Sequence, residues 1–163
     1  MLKRKLSTDT AAGGVEAAAK ASISHREDVR SCTAVPGETL LTRLDPRQTD
    51  GRYAILESLA DPGTAAPLHT HQEDEIFYIL EGTLTFQLAD ERVEGRPGSM
   101  VFIPAGTPHS WKNRSNDTVR MLALFVPGGV GDLFRQIAGL DPTQIAHVAA
   151  QYGTVVLGPP IAD

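Results

Sequence analysis

From position 36 onward, apolar and polar residues alternate in short runs of four to eight positions, and each run ends in Gly, Pro or Asp. This period of two predicts β-strands, because successive side chains of a strand point to opposite faces. About eight short strands at this spacing are typical of a sandwich or barrel rather than of alternating strands and helices. The predicted strands are Thr39–Leu44, Arg52–Leu59, Ala65–Thr70, Ile76–Leu80, Thr83–Leu88, Val93–Glu94, Ser99–Ile103, His109–Lys112 and Thr118–Val126.

Near the C-terminal end the apolar period changes to about 3.6, which is the period of an α-helix. One stripe predicts a short helix with Gly139 near its end, and it consists of Leu133, Phe134, Ile137 and Leu140. A second helix is predicted to begin after an N-cap at Asp141, with Pro142 as its first residue and Gln144 three residues after the cap. Its apolar stripe ends before Gly153 and consists of Ile145, Val148, Ala149 and Tyr152. We expect both helices to pack their apolar faces on the outside of the barrel, as a helical lid on the β core.

Residues 1 to about 30 carry few large apolar side chains and contain a Gly13-Gly14 pair and two Ala-rich stretches. Such a segment buries too little surface to offset the entropy lost on ordering it. It is predicted to be a flexible or partly helical arm, with docking on a partner subunit as the alternative. The chain thus divides into an arm (1–30), a β-barrel (31–128), and C-terminal helices with a tail packed on the barrel (129–163).

Composition and charge narrow the class of protein. The 163 residues are 41% apolar, with 15 Gly, 11 Pro and a formal charge of −5, which is typical of one loop-rich globular domain. Residues 32–163 hold nine basic and sixteen acidic side chains. A surface that neutralises nucleic-acid phosphates is therefore not expected.

The sequence carries no signal for a disulfide framework, a membrane span or secretion. Cys32 is the single cysteine, which excludes an intramolecular disulfide and a cysteine-cage metal site. No apolar run reaches the roughly 18 residues of a membrane span. The charged start at residues 1–5 is followed by no apolar signal-peptide core. We therefore expect a cytoplasmic protein that does not bind membranes.

Three of the five histidines lie in two compact segments bounded by turns. In the first segment, His69 and His71 are two positions apart, which places both side chains on the same face of a strand. Three further residues bring Glu75 to the start of the next strand, where its carboxylate can reach the same point. In the second segment, His109 follows a Pro- and Gly-rich turn. Three imidazoles and a carboxylate would bind a divalent first-row metal and leave positions for water, O₂ or substrate, as in a catalytic site.

Both segments match two signature motifs at every fixed position, and these motifs belong to the cupins, a family of small β-barrel proteins. The first motif, G-x5-H-x-H-x3-E-x6-G, is matched by Gly63, His69, His71, Glu75 and Gly82. The second motif, G-x5-P-x-G-x2-H-x3-N, is matched by Gly98, Pro104, Gly106, His109 and Asn113. The chain resembles this family from about residue 36 to residue 126. Its ending is similar to that of the small single-domain bacterial cupins called quercetin-dioxygenase-like.

The resemblance implies an all-β fold, a double-stranded β-helix or jelly-roll barrel, followed here by two short C-terminal helices. It implies that His69, His71, Glu75 and His109 ligate one divalent metal ion, which these ligands leave open among Fe, Mn, Ni, Co, Cu and Zn. It also implies a homodimer. Asn113 is expected to have a structural role.

The predicted activity is that of a metal-dependent oxygenase of the quercetin-dioxygenase type, which acts on a small enolic or phenolic substrate. Glu75 is the predicted catalytic residue, because it is the ligand that can also accept a proton from the substrate. Two alternatives stay open. The metal could act as a Lewis acid in a non-redox isomerase, cyclase or decarboxylase, or the barrel could bind a small ligand without catalysis.

Strand parity extends the prediction to the surroundings of the metal. Phe77 lies two residues after Glu75, and Trp111 lies two residues after His109, so each pair shares one face of its strand. Both aromatic side chains are therefore predicted to point inward and line the pocket.

The remaining charged and imidazole side chains receive no role in the site. Glu73 and Asp74 are interpreted as solvated loop residues, with steering of cations or an acidic role behind the metal ligands as the alternative. Arg120 is interpreted as an outward, solvated cation, with an inward cation that holds an acidic substrate as the alternative. His25 and His147 are not expected to be ligands.

Overall fold

Two antiparallel β-sheets form the body of the protein in the computed structural model, which describes residues 20–137 and 139–162. The strands are β1 (Ser31–Cys32), β2 (Glu38–Leu44), β3 (Ala54–Ala60), β4 (Leu68–Thr70), β5 (Asp74–Glu81), β6 (Leu84–Leu88), β7 (Glu91–Gly95), β8 (Met100–Ile103), β9 (His109–Lys112), β10 (Val119–Val126) and β11 (Val155–Gly158). One sheet has the strand order β1-β2-β3-β10-β5-β8, and the other has the order β11-β4-β9-β6-β7.

The alternation along β10 explains how the sequence builds the core between the sheets. Every second side chain of this strand is buried, namely Val119, Met121, Ala123 and Phe125. They join a single apolar cluster with the inward side chains of both sheets, including Leu56 from β3 and Phe86 from β6. Two antiparallel sheets that enclose one core confirm the predicted jelly-roll barrel.

The two predicted α-helices are present as α1 (Val130–Gln136) and α2 (Pro142–Gln151), beside 3-10 helices at Arg26–Asp28 and Pro46–Gln48. Asp141 caps α2 as predicted, since its side chain accepts hydrogen bonds from the backbone N–H groups of Thr143 and Gln144. The first helix is shorter than its apolar stripe. It ends at Gln136, three residues before Gly139, whose φ of +81° departs from helical backbone.

The apolar faces of both helices pack against the β core. Leu133 and Ile137 belong to the apolar cluster of the barrel and line its internal cavity. Ile145 and Ala149 of α2 line the same cavity. The helices therefore cover this cavity.

The nine predicted strands are all found, with ends that shift by a few residues. The largest change concerns Ala65–Thr70, where only Leu68–Thr70 forms a strand and Ala65 makes an isolated bridge to Lys112. Pro67 lies between the two and has no N–H for a ladder. Strands β1 and β11 were not predicted, since β1 has two residues and the apolar side chains of β11 are exposed.

Residues 1–19 of the predicted arm lie outside the described residues, and residues 20–30 contact the outer face of the six-stranded sheet. Arg43 donates a hydrogen bond of 2.9 Å to the carbonyl oxygen of Ser24. Arg26 forms an ion pair of 3.1 Å with Glu57, which lies on the outward side of β3. Within 20–137 and 139–162, none of the helices has the length and hydropathy needed to cross a membrane.

Candidate metal centre

The four predicted ligands meet where the two sheets approach each other. His69 on β4 is the direct cross-strand partner of His109 on β9, so these imidazoles are neighbours within the five-stranded sheet. His71 follows β4 by one residue, and Glu75 lies on β5 of the six-stranded sheet. Gly82 lies in the turn after β5 with a φ of +79°, and a Cβ atom there would lie 2.9 Å from Val119. The turn therefore needs glycine.

The three imidazole rings form a compact cluster. Their centroids are 4.2 Å apart for His69 and His109, 4.9 Å apart for His71 and His109, and 5.6 Å apart for His69 and His71. One ring nitrogen of each lies within 4.8 Å of those of the other two. This spacing allows three imidazoles to bind the same metal ion.

Backbone carbonyl groups fix the orientation of two of the rings. Nδ1 of His69 lies 2.8 Å from the carbonyl oxygen of Pro67, and Nδ1 of His109 lies 2.8 Å from that of Thr107. A carbonyl oxygen can only accept, so each Nδ1 carries the proton and each Nε2 keeps a lone pair. Within the described chain, Nε2 of His109 is buried without a hydrogen-bond partner. A metal ion would satisfy it.

Carboxylates surround the third ring. Oε2 of Glu75 lies 3.2 Å from Nε2 of His71 and 3.1 Å from Nε2 of His109. On the other side of the ring, Oε2 of Glu73 lies 3.5 Å from Nδ1 of His71. All four of these side chains are buried. Each imidazole of the cluster thus has an oxygen near Nδ1, which is the usual arrangement around metal-bound histidines.

The pKa values reflect this packing. Burial raises the pKa of Glu75, but contacts with His109 and His71 outweigh it and lower the pKa to about 2. Burial lowers the pKa of His71, but Glu73 and Glu75 outweigh it and raise the pKa to about 9. Burial, followed by the proximity of His109, lowers the pKa of His69 to about 4. The cluster therefore holds an anionic carboxylate and attracts positive charge, and a divalent cation would take the place of the proton on His71.

The cluster opens into an apolar cavity of about 340 Å³. Phe77 and Trp111 are buried in its wall, on strands from opposite sheets. Phe134 and Ile137 of the C-terminal helices complete it. A cavity of this size and polarity is suited to a small organic molecule.

Several polar side chains differ from their interpretation in the sequence. Glu73 is buried rather than solvated, and Asp74 accepts a 2.8 Å hydrogen bond from the backbone N–H of Ala105. Arg120 points outward, but it is not simply solvated, because it pairs with the buried carboxylate of Glu57 at 2.7 Å. The partners of Asp74 and Arg120 are distant in the chain, so the sequence does not indicate these two contacts.

The remaining histidines, Asn113 and one polar pair lie outside the histidine cluster. His25 and His147 lie apart from the cluster, and both are exposed. Asn113 is fully buried and donates hydrogen bonds to the carbonyl oxygens of Ala60 and Asp117 at 2.9 and 2.8 Å. Its amide joins the loop after β9 to β3, which agrees with a structural role. The motifs missed a second polar pair in the cavity wall, Glu38 and Ser58.

Comparisons with known proteins agree with this fold and site. Residues 57–125 match the family model of the cupin domain. Over 97 residues, the chain is 32% identical to quercetin 2,3-dioxygenase of Bacillus subtilis (strain 168). The alignment covers 59% of this chain and 28% of that enzyme. Over 77 residues, it is 31% identical to an uncharacterized protein of Streptomyces coelicolor, which covers 47% of this chain and 68% of that protein. The structure of the polyketide cyclase RemF from Streptomyces resistomycificus matches with a TM-score of 0.59 and 26% identity, over 66% of this chain and 80% of that one.

The fold and the site define a jelly-roll barrel with a three-histidine cluster that could hold a metal ion. The chain belongs to the cupin superfamily. It spans well under two thirds of the length of the Bacillus dioxygenase.

Proposed function

We propose that this protein is a metal-dependent oxygenase that acts on a small enolic or phenolic compound. In this proposal His69, His71, His109 and Glu75 ligate one divalent first-row transition metal. The observation that carries it is the buried Nε2 atom of His109, which has no hydrogen-bond partner in the described chain and faces Glu75 at 3.1 Å. The likeness to a quercetin 2,3-dioxygenase supports the oxygenase class.

Glu75 has the second role of a general base. Its pKa of about 2 keeps it ionised at neutral pH, and it lines the cavity. It can therefore accept the proton of a substrate hydroxyl in the cavity once coordination of that hydroxyl oxygen to a bound metal has lowered the pKa of the hydroxyl. The metal, when bound, supplies Lewis acidity toward an enolate or phenolate oxygen and, if it is redox-active, a path for electrons to O₂.

The apolar wall has a separate role in this proposal. Phe77, Trp111 and Phe125 surround the site with carbon, which excludes water from the reacting groups. An electron-rich anion formed there is protected from reprotonation by solvent. Leu133 of α1 and Ala149 of α2 complete this apolar wall.

Elemental analysis of protein purified without chelators, followed by O₂ consumption with flavonols and enolic diketones, tests the proposal. We expect about one equivalent of a redox-active metal in the wild type and none in the double variant His69→Ala/His109→Ala. His147→Ala, which changes an exposed imidazole on α2, is the matched control and should retain the metal. O₂ consumption at the wild-type rate by the metal-free double variant would contradict the proposal.

A second candidate function uses the same residues without redox chemistry. The likeness to a polyketide cyclase, at 26% identity and a TM-score of 0.59, favours a cyclisation or isomerisation in which the metal polarises a carbonyl group. Full activity of the zinc-loaded protein under nitrogen would favour this candidate over the oxygenase. Loss of activity without O₂ would exclude it.

We also propose that the protein is a cytoplasmic homodimer, as the family resemblance implies. Supporting this, the outer face of the six-stranded sheet exposes apolar side chains at its β8 edge. Met100 and Phe102 are 68% and 57% exposed, and they lie beside Tyr78 and Ile76 of β5. An apolar sheet face of this kind is typical of an interface. Analytical ultracentrifugation of the wild type and of Phe102→Asp should give a dimer and a monomer, respectively.

A further inference from the structure

The cavity wall contains a second polar group, formed by Glu38 on β2 and Ser58 on β3. The hydroxyl of Ser58 donates a 2.7 Å hydrogen bond to Oε1 of Glu38. Both residues are buried, with exposed fractions of 6% and 1%, and both line the cavity that contains the histidine cluster. Neither belongs to a signature motif. Burying a carboxyl group in an apolar wall costs free energy of folding unless its polar atoms are hydrogen-bonded.

The partners of Glu38 differ from those of a structural carboxylate. Glu57, on the outer face of the same sheet, is surrounded by the guanidinium groups of Arg26, Arg43 and Arg120. Among the described residues, Glu38 has no cation at ion-pair distance, and its hydrogen bonds come from donors, the Ser58 hydroxyl and the backbone of residue 35. A proton on this carboxyl group would therefore find its acceptor in the cavity.

The protonation state is consistent with this arrangement. Burial raises the pKa of Glu38 to about 7, against the hydrogen bond from Ser58, and the negative charge of Glu75 raises it further. Near neutral pH a substantial fraction of the molecules thus carries a carboxylic acid, which both donates and accepts hydrogen bonds. Glu38 can in this form bind a hydroxyl group in either direction.

The pair lies apart from the histidine cluster along the inner face of the sheet. Glu75 is paired with Phe125, which is paired with Ala54, and Ser58 lies four residues further along β3, roughly 13 Å of strand. The inward side chain between them on β3 is Leu56. The cavity wall therefore carries a second polar group, which the apolar side chain of Leu56 separates from the histidine cluster along β3.

We propose that Glu38, positioned by Ser58, is a second anchoring point that selects small aromatic or alicyclic molecules with a hydroxyl group on the side remote from the metal-directed oxygen. This inference rests on the proposed function in taking the cavity as the substrate site. It adds a specificity-determining residue and a substrate class with two oxygen functions separated by an apolar body. A buried group that pairs with a substrate hydroxyl disfavours the analogue that lacks the hydroxyl, because the group is then left unpaired.

The probes for this inference are 4-hydroxybenzyl alcohol and 4-ethylphenol, because they share their shape and their phenolic hydroxyl and differ only in the hydroxyl group at the remote end. Their affinities are measured by isothermal titration on the protein as purified, and the ratio of the affinity for 4-hydroxybenzyl alcohol to that for 4-ethylphenol is compared among variants. In Glu38→Leu the hydroxyl loses its partner, and we expect the ratio to fall by about tenfold or more. Glu38→Gln, which keeps a donor and an acceptor, should retain most of the wild-type ratio. Ser58→Ala leaves the carboxyl group in place without its positioning donor and should lower the ratio severalfold.

His109→Ala separates this inference from the proposed metal site. If Glu38 holds the hydroxyl, the ratio in His109→Ala equals that of the wild type. A ratio that falls in His109→Ala and stays unchanged in Glu38→Leu and Ser58→Ala would overturn the inference, while it would support a metal-directed hydroxyl. A ratio that is the same in all variants would overturn it as well.

Discussion

The carboxylate of Glu73 lies 3.5 Å from Nδ1 of His71, while Nε2 of the same ring lies 3.2 Å from Glu75. The imidazole is thus held between two acids, one on the side of the proposed metal and one behind it. An oxygen behind a metal-bound histidine sets its tautomer and raises its basicity. Glu73 is buried, so it acts on His71 without screening by solvent.

Glu73→Gln should weaken metal binding by about 10- to 100-fold without preventing folding, because it keeps the shape of the side chain and removes the charge. Competition with a metal chelator measures the affinity. Glu94→Gln, which changes an exposed acid on β7, is the control and should have the wild-type affinity. Equal affinities for Glu73→Gln and the wild type would show that His71 does not need this carboxylate.

Glu75→Gln should separate metal binding from turnover. Three imidazoles remain in the variant, and an amide oxygen can still face the metal, so we expect most of the metal to be retained. The amide cannot accept a substrate proton, and the rate should fall by about 10² to 10⁴. Metal content and turnover are measured on the same preparation. A variant with full metal and full turnover would remove Glu75 from the role of base.

The histidine cluster could be predicted from sequence because its residues are close in the chain. His69, His71 and Glu75 fall within seven consecutive residues, so a spacing of two on a strand and a short loop to the next strand determine their directions. Only His109 comes from a distant strand, and its motif supplies the turn that precedes it. Residue spacing and the turn motif were therefore enough to predict the candidate site from the sequence.

The pair Glu38 and Ser58 could not be predicted in this way. The two residues are 20 positions apart, and their contact depends on the register between β2 and β3, where Leu40 lies opposite Ser58. The register includes an irregularity after Thr42, which no propensity predicts. The burial of Glu57 depends in the same way on arginines from three separate segments.

Glu57 should be among the most important polar side chains for stability. Its carboxylate is almost fully buried and pairs with Arg43 and Arg120 at 2.7 Å and with Arg26 at 3.1 Å. Glu57→Gln removes the counter-charge that Arg26 and Arg43 share and leaves Arg120 with only the exposed carboxylate of Glu81, and we expect it to lower the free energy of unfolding by roughly 2–4 kcal/mol. Urea denaturation measures the loss.

Glu81→Gln is the matched control for this prediction. It removes the second carboxylate from Arg120, at 2.8 Å, but Glu81 is 64% exposed. The loss of a solvent-exposed pair should stay below about 1 kcal/mol. Similar losses for the two variants would mean that burial of Glu57 adds nothing to the strength of its ion pairs.

Glu38 should make the stability of the protein depend on pH. Its pKa in the folded protein is about 7, against an ordinary value of 4.5. Between these two pH values the unfolded chain releases a proton that the folded protein keeps, so the free energy of unfolding falls as the pH rises. The full loss is at most about 3 kcal/mol and is complete above the folded-state pKa. Glu38→Gln has no proton to lose, and its stability relative to the wild type should therefore increase from pH 4.5 to about pH 8.

Urea denaturation of both proteins across this range measures the difference, which cancels the contributions of all other titrating groups. A difference that stays constant across the range would show that folding leaves the pKa of Glu38 unchanged.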